Sequence, residues 1–435
     1  MPTIIDALER FDIATRRELA DYLGVSQAGF SRLFRAQAER IAQIGRGRAV
    51  RYALRSSFAR VETPVPVYRV SPEGKVGLFG ELAPLSKGRF LIRDEVFEDL
   101  PWFLWDMRPQ GFIGRAFANR ETSLRLPTDL QAWQNEDILS ALTRRGEDCS
   151  GDLVAGHEAL ERYLALQDAP VTVSRTDYAA LAHAAVLGDV AGSSAAGEQP
   201  KFTAMLAHPD ACSVIVKFSP PVGESPAARR FADLLICEHL ALTIMRERGQ
   251  DAAISAIVET GGRVMLETRR FDRSENGRCA LLSGTAIDAQ FVGVVEPDWM
   301  AFIRALCRKK RIGSEDRDRV LLWHAFGLLI GNSDMHLGNL SFFTEDYRYF
   351  SLAPAYDMLP MRWSPSRGGE IVERQLEIPL RVLDIASFET AADMAEDFWC
   401  TVRDFDALER RFSAIADAAL LEIATVRRKM AKFAL

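Results

Sequence analysis

The chain has 435 residues, of which 48% are hydrophobic and 26% charged. This composition excludes a disordered chain, which would contain far fewer apolar residues, and the length allows more than one domain. The longest apolar run, Val320 to Ile330, is too short to span a bilayer, and the N-terminus lacks the basic start and apolar core of a signal peptide, so we expect a cytoplasmic protein with no membrane partner.

The net charge of -6 is unevenly distributed along the chain. Residues 1–56 contain ten arginines and six acidic residues, a local charge of +4. This basic segment on an acidic remainder predicts that any nucleic-acid contact lies near the N-terminus. The six cysteines are scattered without a CxxC pair, which argues against a zinc site or a disulfide framework.

Residues 3–55 have the pattern of a winged helix-turn-helix. A first helical segment is followed by a second that begins at Thr15, a predicted N-cap with Glu18 three residues on. After a glycine turn, Ser26 caps a third helix, which completes a helix-turn-helix. The alternating, arginine-rich segment that follows predicts a β-wing.

This predicted unit offers two sets of DNA contacts. Candidates to reach base edges from the third helix are Ser26, Gln27, Ser31, Arg32 and Arg35. Candidates to meet phosphates from the wing are Arg46, Arg48 and Arg51. We therefore predict a DNA-binding domain over residues 1–60 that contacts operator DNA, with a protein-docking module as the alternative. Winged helices often bind DNA as dimers, so we also expect a homodimer.

A second subdomain is predicted over residues 61–165. Prolines mark a linker, and short strand signals follow at Tyr68 to Val70, Val76 to Phe79 and Gly88 to Ile92. An aromatic patch, Trp102-Phe103-Leu104-Trp105, comes next. The segment carries no evident catalytic chemistry, so we interpret it as a packing or partner-docking subdomain.

Two stretches in the third region, 166–435, indicate phosphate binding. The run from Gly192 to Lys201 contains small residues and two glycines, which let backbone N–H groups approach a phosphate closely. Lys217 follows in an alternating β-branched strand, where kinases place the lysine that pairs with ATP phosphates. A hairpin turn and a strand-edge lysine are the respective alternatives.

The strongest signal is the polar loop that contains Asp334 and Asn339. The loop joins an apolar helix to an apolar strand, and its Asp-x4-Asn spacing is that of the kinase catalytic loop. In that loop the Asp accepts the hydroxyl proton and the Asn binds a metal ion. Asp357, 18 residues after Asn339, occupies the place of the second kinase metal ligand. Turn-capping and helix-capping roles are the structural alternatives.

These stretches together resemble the HipA family of kinase toxins. SAAGEQPK at 194–201 is similar to the family's SxAGxQxK loop, VKF at 216–218 to its ATP-lysine strand and RFDR at 270–273 to its hinge. IGNSDMHLGN at 330–339 is similar to IGNxDxHxxN, and PAYD at 354–357 to PxYD. The N-terminal winged helix makes the chain similar to the YjjJ-like branch. Glu198 and Pro200 depart from the familiar AGAQEK loop, and Arg269 stands where an acidic residue is frequent.

The resemblance implies an α+β fold in which the winged helix precedes a two-lobed, protein-kinase-like body. An ATP lobe would span about 166–290 and a mainly helical catalytic lobe about 291–435. It implies an ATP- and Mg²⁺-dependent serine/threonine kinase with Asp334 as the catalytic residue. The implied ATP-binding residues are Gly197, Gln199, Lys217, Arg269, Phe271, His336 and Asn339. The implied metal ligands are Asn339 and Asp357.

The resemblance also implies regulation and partners. Ser194, with Ser193 beside it, would be the site of autophosphorylation. Aminoacyl-tRNA synthetases are substrates of known family members, and a separate antitoxin usually supplies the helix-turn-helix. Two further hypotheses stay open at this stage: a DNA-binding regulator with an inactive or sensory kinase body, and a Mg²⁺-dependent nuclease that uses Asp334, Asn339 and Asp357.

Overall fold

The structure is a computed structural model that describes six ranges of the chain. These ranges are 2–187, 199–209, 211–295, 298–366, 368–380 and 383–431, apart from the side chain of Arg48. Within them, the predicted α+β class with a mainly helical C-terminal part is confirmed. None of the helices in these ranges has the length and apolar character needed to cross a bilayer.

The N-terminal unit is a winged helix-turn-helix. Its elements are α1 (Ile4–Phe11), β1 (Ile13–Thr15), α2 (Arg16–Leu23), α3 (Gln27–Ala36), β2 (Ile41–Ile44) and β3 (Arg51–Leu54). The strands form an antiparallel sheet in the order β1-β3-β2. The predicted caps are confirmed: the Thr15 hydroxyl accepts the Glu18 N–H at 3.3 Å, and the Ser26 hydroxyl accepts the Gly29 N–H at 3.2 Å.

Helix α3 packs on the sheet of this unit through aromatic side chains. The ring centroids of Phe30 and Phe34 lie 5.2 and 5.1 Å from that of Tyr52. With these rings directed inward, Arg32 and Arg35 remain exposed on the opposite face. The amphipathic pattern of α3 thus presents its polar face to solvent.

The middle unit is built on a five-stranded sheet. Its elements are β4 (Val65–Val70), β5 (Val76–Pro84), β6 (Phe90–Ile92), β7 (Glu95–Phe97), α4 (Gly111–Arg120), α5 (Asn135–Arg145), β8 (Leu153–Ala155) and α6 (His157–Asp168). The strand order is β7-β6-β5-β4-β8. The aromatic patch forms a 3₁₀ turn, Trp102–Met107, whose rings pack into the main core.

The winged helix docks on the middle unit through a shared apolar cluster. This contact, which we call the wing interface, contains Ala42, Ile44 and Ala53 from the first unit and Ala83, Leu85 and Leu91 from the second. Polar contacts surround it. Asp12 pairs with Lys87 at 3.3 Å and with Arg89, and the Gly45 N–H donates to Asp94 at 3.3 Å.

A second five-stranded sheet begins the third region. Its elements are β9 (Thr172–Val173), α7 (Tyr178–Leu187), β10 (Lys201–Leu206), β11 (Ser213–Phe218), α8 (Pro226–Glu247), β12 (Ser255–Thr260) and β13 (Arg263–Arg269). The strand order is β12-β13-β11-β10-β9, and α8 packs against it. This arrangement places β11 in the centre of the sheet, next to the long buried helix.

Helices dominate the remainder of the chain. Its elements are β14 (Leu281–Ser283), α9 (Gly284–Ile287), α10 (Trp299–Arg308), α11 (Ser314–Leu329), β15 (Ser341–Phe343), β16 (Ser351–Leu352), α12 (Ile385–Asp404) and α13 (Arg410–Met430). A small sheet, β14-β15-β16, lies beside the helices. Because β15 begins two residues after Asn339, this sheet holds the end of the loop that follows α11 at the edge of a cavity.

Candidate active site

One cavity lies where the second sheet meets the helical part. Six residues that the sequence singles out line it: Lys217, Arg269, Phe271, His336, Asn339 and Asp357. Asp334 and Gln199 are described but do not line this cavity. Gly197, Ser193 and Ser194 lie outside the described residues. The structure thus brings together side chains that are separated by as many as 140 residues.

Lys217 is held at the floor of the cavity by two carboxylates. Its Nζ donates to Glu238 Oε1 at 2.7 Å and Oε2 at 2.8 Å, and also to Asp357 Oδ1. Lys217 is 8% exposed and Glu238 is 1% exposed. A buried lysine in a central strand requires such partners, because an uncompensated buried charge is costly. Lys201 lies directly across from Lys217 in the neighbouring strand and also lines the cavity.

Burial and the mutual attraction of these three charged groups shift their pKa values in different directions. Burial alone would lower the pKa of Lys217, but the carboxylates of Asp357 and Glu238 outweigh it and raise that pKa. Burial raises the pKa of Glu238, partly offset by the Lys217 charge. Burial also opposes ionisation of Asp357, but the charges of Lys217 and Lys201 lower its pKa. Asp357 therefore stays ionised and able to bind a cation.

The loop after α11 is fixed by Asn332. Its side-chain oxygen accepts the Asp334 N–H at 3.0 Å, and its amide donates to the Asp357 carbonyl oxygen at 3.2 Å. Gly331, at φ 74°, precedes it, and a Cβ there would lie 2.5 Å from the ring of Trp363. Glycine is required at this position both by the left-handed backbone and by the close approach.

A hydrogen bond between the two residues of the Asp-x4-Asn pattern closes the loop. The Asn339 side-chain amide donates to the Asp334 carbonyl oxygen at 2.8 Å. His336 Nδ1 accepts the Gly338 N–H at 3.0 Å, and its Nε2 lies 4.0 Å from Asp334 Oδ1. The Asp334 side chain is 53% exposed, so its carboxylate is open to solvent beside His336, which lines the cavity. An incoming macromolecule can reach this carboxylate.

The segment that carries Asp357 is anchored by the residue before it. The Tyr356 hydroxyl donates to the Gly338 carbonyl oxygen at 2.8 Å and lies 2.7 Å from the Ser341 hydroxyl oxygen. Asp357 itself has φ 52°, in the left-handed region that non-glycine residues rarely occupy. Such local strain is typical of functional positions held by their surroundings.

The RFDR motif is an ion network at the rim of the cavity. Arg270 makes a bidentate contact with Asp272, at 3.0 and 2.9 Å, and donates to Asp148 at 2.7 Å. Burial would raise the pKa of Asp272, but Arg270 and Arg273 hold it well below its ordinary value. The motif therefore fixes Phe271, whose ring lies 5.9 Å from that of Tyr356, in the cavity wall.

Several residues that line the cavity were not assigned to the site from the sequence. Asp106, Ser150 and Glu238 are among them. Glu238 had a detectable signal, because it interrupts the apolar run of α8 from Leu234 to Leu242. Asp106 and Ser150 come from the middle unit, which the sequence had suggested was free of catalytic chemistry. That interpretation was incomplete, since this unit supplies part of the cavity wall.

The residues that could hold a metal ion are few. Among the described residues, no group of three or more His, Cys, Asp or Glu side chains is arranged for metal binding. The available ligands are the Asp357 carboxylate and the Asn339 side-chain oxygen. These fit Mg²⁺, which usually takes one or two carboxylates and completes its shell with phosphates and water. Two such ligands suit a metal ion that binds together with a nucleotide, because a metal site made of protein alone would need more ligands.

The candidate DNA-contacting residues lie apart from this cavity. Gln27, Arg32 and Arg35 are exposed on α3, and Arg46 and Arg51 are exposed on the wing. The Ser31 hydroxyl donates to the Gln27 carbonyl oxygen at 3.0 Å. The side chain of Arg48 lies outside the described part of the chain. The exposed arginines therefore occupy the helix and wing that a winged helix presents to a duplex.

Comparison with known proteins agrees with this architecture. Residues 61–164 match the YjjJ-like toxin middle domain, and residues 193–430 match the HipA-like C-terminal domain. The chain is 35% identical to Toxin YjjJ of Escherichia coli strain K12 over 429 residues, which cover 95% of this chain and 96% of that protein.

Two solved structures also resemble the chain. One is HipA of Shewanella oneidensis MR-1, in its complex with HipB and operator DNA, with a TM-score of 0.46, 15% identity and coverage of 82% of this chain and 95% of that one. The other is the Helicobacter pylori proinflammatory kinase CtkA, with a TM-score of 0.31, 13% identity and coverage of 53% and 93%.

The class of protein follows from the two domain matches and from the match to Toxin YjjJ. The match to the HipA-like domain spans more than half of the chain, and the chain is therefore a toxin of the HipA type. Within that class, the chain belongs to the family of YjjJ-like toxins.

Proposed function

We propose that the protein is an ATP- and Mg²⁺-dependent serine/threonine kinase. The observation that carries this proposal is the buried contact of Lys217 with both Glu238 and Asp357, beside the loop closed by Asn339. In protein kinases a strand lysine paired to a helix glutamate, with an aspartate for the metal ion, is the arrangement that binds ATP for transfer.

Each residue has a distinct task in this proposal. When bound, ATP would supply the phosphoryl group, and Mg²⁺ would neutralise the charge of its phosphates. Lys217 attracts the phosphates, while Asp357 and the side-chain oxygen of Asn339 hold the metal ion. The exposed carboxylate of Asp334 orients a serine or threonine hydroxyl and accepts its proton. Positioning and charge stabilisation account for most of the rate enhancement in such a site.

The protein substrate is a macromolecule with an accessible hydroxyl. The exposure of Asp334 supports this, because a buried catalytic carboxylate would admit only small molecules. A translation component such as an aminoacyl-tRNA synthetase is the candidate that the family resemblance suggests. Ser194 and Ser193 are the candidates for autophosphorylation, as residues of the segment that precedes β10.

Incubation with radiolabelled ATP and Mg²⁺ tests the kinase. We expect label on the protein, located by mass spectrometry at Ser194 or Ser193, and none in Asp334→Ala. Asp318→Ala is a matched control, because Asp318 is 60% exposed in the same part of the chain and lies outside the cavity. Wild-type labelling of Asp334→Ala would contradict the assignment.

We further propose that the winged helix binds operator DNA and so regulates the toxin in cis. The exposed arginines of α3 and the wing support this, because they occupy the two elements that meet a duplex. A separate antitoxin and a homodimer remain part of the proposal as partners. Gel-shift titration of the full chain against its own promoter region checks it, and absence of salt-sensitive binding would contradict it.

The two other hypotheses predict different results in the same assays. A DNA-binding regulator with an inactive kinase body would bind operator DNA without any transfer of label from ATP. A Mg²⁺-dependent nuclease would cleave DNA without ATP. A nuclease with two metal ions needs several carboxylates around the pair, and the described residues contain no such group. A buried lysine held by Glu238 and Asp357 also suits a site for a nucleotide polyphosphate better than the site of a nuclease.

A further inference from the structure

A second cavity lies between the middle unit and the helical part of the chain. Its volume is about 380 Å³, within the range of cavities that hold small organic ligands. It shares no lining residue with the cavity of Lys217. The middle unit contributes Arg93 to its wall, and the helical part contributes Arg311. A ligand in this second cavity would therefore contact both parts of the chain.

Each of these two arginines is stacked on an aromatic ring. The guanidinium carbon of Arg93 lies 4.6 Å from the ring centroid of Phe79, and that of Arg311 lies 4.8 Å from the ring centroid of Phe291. One continuous row of rings, with successive centroid distances of 5.2, 6.3 and 5.1 Å, consists of Phe79, Tyr347, Trp102 and Phe291. The two guanidinium groups are thus held on a common aromatic wall.

The stacked arginines have hydrogen-bond donors that no carboxylate of the protein uses. A ring covers only the face of a guanidinium, so the N–H groups along its edge can bond to acceptors in the same plane. Among the described residues, no carboxylate forms an ion pair with Arg93 or Arg311. Arg311 Nη1 donates to the Arg348 carbonyl oxygen at 3.2 Å, and a guanidinium has five N–H donors in all.

The other charged side chains of the second cavity leave it weakly positive. Three arginines and two carboxylates line it, which gives a net charge of +1. The carboxylate of Asp346 is committed to its own turn, where Oδ1 accepts the Arg348 N–H at 2.8 Å and the Tyr349 N–H at 3.0 Å. Glu95 is exposed, so water screens its charge. The cavity therefore favours an anion.

We propose that the second cavity binds a small phosphate ester, whose phosphate oxygens accept hydrogen bonds from Arg93 and Arg311. A phosphate monoester offers three acceptor oxygens and nearly two negative charges, so it can serve two guanidinium groups, and a planar guanidinium matches phosphate oxygens in bidentate contacts. The volume exceeds that of a phosphate group, and the ring of Tyr349, 61% exposed, offers a surface for the organic part. This inference does not depend on the proposed kinase reaction.

Equilibrium dialysis of the full-length protein against labelled uridine 5′-monophosphate, uridine and inorganic phosphate tests the inference. We expect the nucleotide to bind with a dissociation constant below about 1 mM, and uridine, which lacks the phosphate, not to bind in that range. Equal binding of uridine and its monophosphate would overturn recognition of the phosphate. Inorganic phosphate that bound as tightly as the nucleotide would show that the cavity takes the free ion, and would overturn the assignment to an ester.

Two pairs of variants locate the site. Arg93→Gln and Arg311→Gln should each lower the affinity for uridine 5′-monophosphate at least about tenfold, because each loses a charged donor. Arg125→Gln and Arg308→Gln, exposed changes outside the second cavity, should keep wild-type affinity. Arg125 is matched to Arg93 because both have a left-handed backbone, with φ of 51° and 53°.

The inference can fail in three further ways. Wild-type affinity in a folded Arg93→Gln or Arg311→Gln protein would place any bound nucleotide elsewhere and overturn it. Equal losses in the Arg125→Gln and Arg308→Gln controls would show a general effect of charge and overturn it as well. Absence of nucleotide binding to wild-type protein would overturn it without reference to any variant, while the transfer of label from ATP would still test the kinase separately.

Discussion

The Lys217 ammonium lies 2.7 and 2.8 Å from the two carboxylate oxygens of Glu238, in a contact that is almost fully buried. The pair joins the central strand β11 to the long helix α8. Because Asp357 contacts the same ammonium, the pair also sets the position of the predicted metal ligand. A change at Glu238 should therefore alter catalysis without touching any reacting atom.

Glu238→Gln should lower kcat about a hundredfold, the order of loss expected when catalytic groups are misplaced by about 1 Å. Without the negative charge of Glu238, Lys217 would be bound mainly to Asp357 and would compete with the metal ion for it. The rate of substrate phosphorylation measures the effect. Glu259→Gln, an exposed change on β12, should retain wild-type activity. Equal rates for Glu238→Gln and wild type would contradict this role for the pair.

Asp233→Asn should change the pH dependence of stability. Burial raises the pKa of Asp233 from its ordinary value of 3.8 to about 6, although Arg229 opposes the shift. The folded chain therefore binds a proton more tightly at Asp233 than the unfolded chain does. This contribution to stability is complete below pH 3.8 and is lost as the pH rises through 6; its upper limit is about 3 kcal/mol.

Thermal unfolding between pH 4.5 and 7.5 measures this effect. The midpoint of Asp233→Asn should rise relative to that of wild type as the pH increases, because the amide cannot ionise in the buried site. Asp397→Asn, an exposed partner of Arg248, should show a constant offset instead. A constant offset for Asp233→Asn as well would show that the pKa of Asp233 is not raised.

Arg46→Ala should weaken operator binding to a similar degree for all sequences. Arg46 is exposed on the wing, and in the proposed DNA complex it contacts phosphate rather than base edges. The slope of log affinity against log salt concentration should decrease by about one. Fluorescence anisotropy at several salt concentrations measures both effects. Arg348→Ala, an exposed change far along the chain, is the comparison, and an equal loss there would contradict a specific role of the wing.

Arg89→Met should destabilise the protein more than Lys87→Met, although both side chains pair with Asp12. The Arg89 side chain is 9% exposed and the Lys87 side chain is 61% exposed. Exposed ion pairs contribute about 0–1 kcal/mol, whereas loss of a buried partner leaves groups uncompensated and costs roughly 1–3 kcal/mol. Differential scanning calorimetry compares the two midpoints. Equal shifts would indicate that the wing interface is held by its apolar cluster alone.

Local features could be predicted from the sequence because their causes are local. The caps at Thr15 and Ser26 depend on side chains within three residues, and the structure has both. The link between Asn339 and Asp334 depends on a spacing of five residues. The sequence shows the order of Lys217 and these loop residues along the chain. This order alone does not predict which of them are in contact.

Long-range partners were harder to predict because no local rule selects them. The partner of Lys217 had to be an acid, yet the sequence contains 60 acidic residues. Glu238 is distinguished only by its place within an apolar helix. Asp106 lies in an aromatic run of another unit, and only folding brings it to Ser283. The fold class was thus predictable, while the complete cavity wall was not.

The wing interface has a consequence for the way this protein can be divided. Its apolar residues, such as Ile44 and Leu85, are 1% exposed and lie in a cluster to which both units contribute. Division of the chain near residue 60 would expose an apolar patch on each fragment. Shortened versions that omit the N-terminal unit should therefore be prone to aggregation, and loss of toxicity in them would not by itself reveal a regulatory role for DNA.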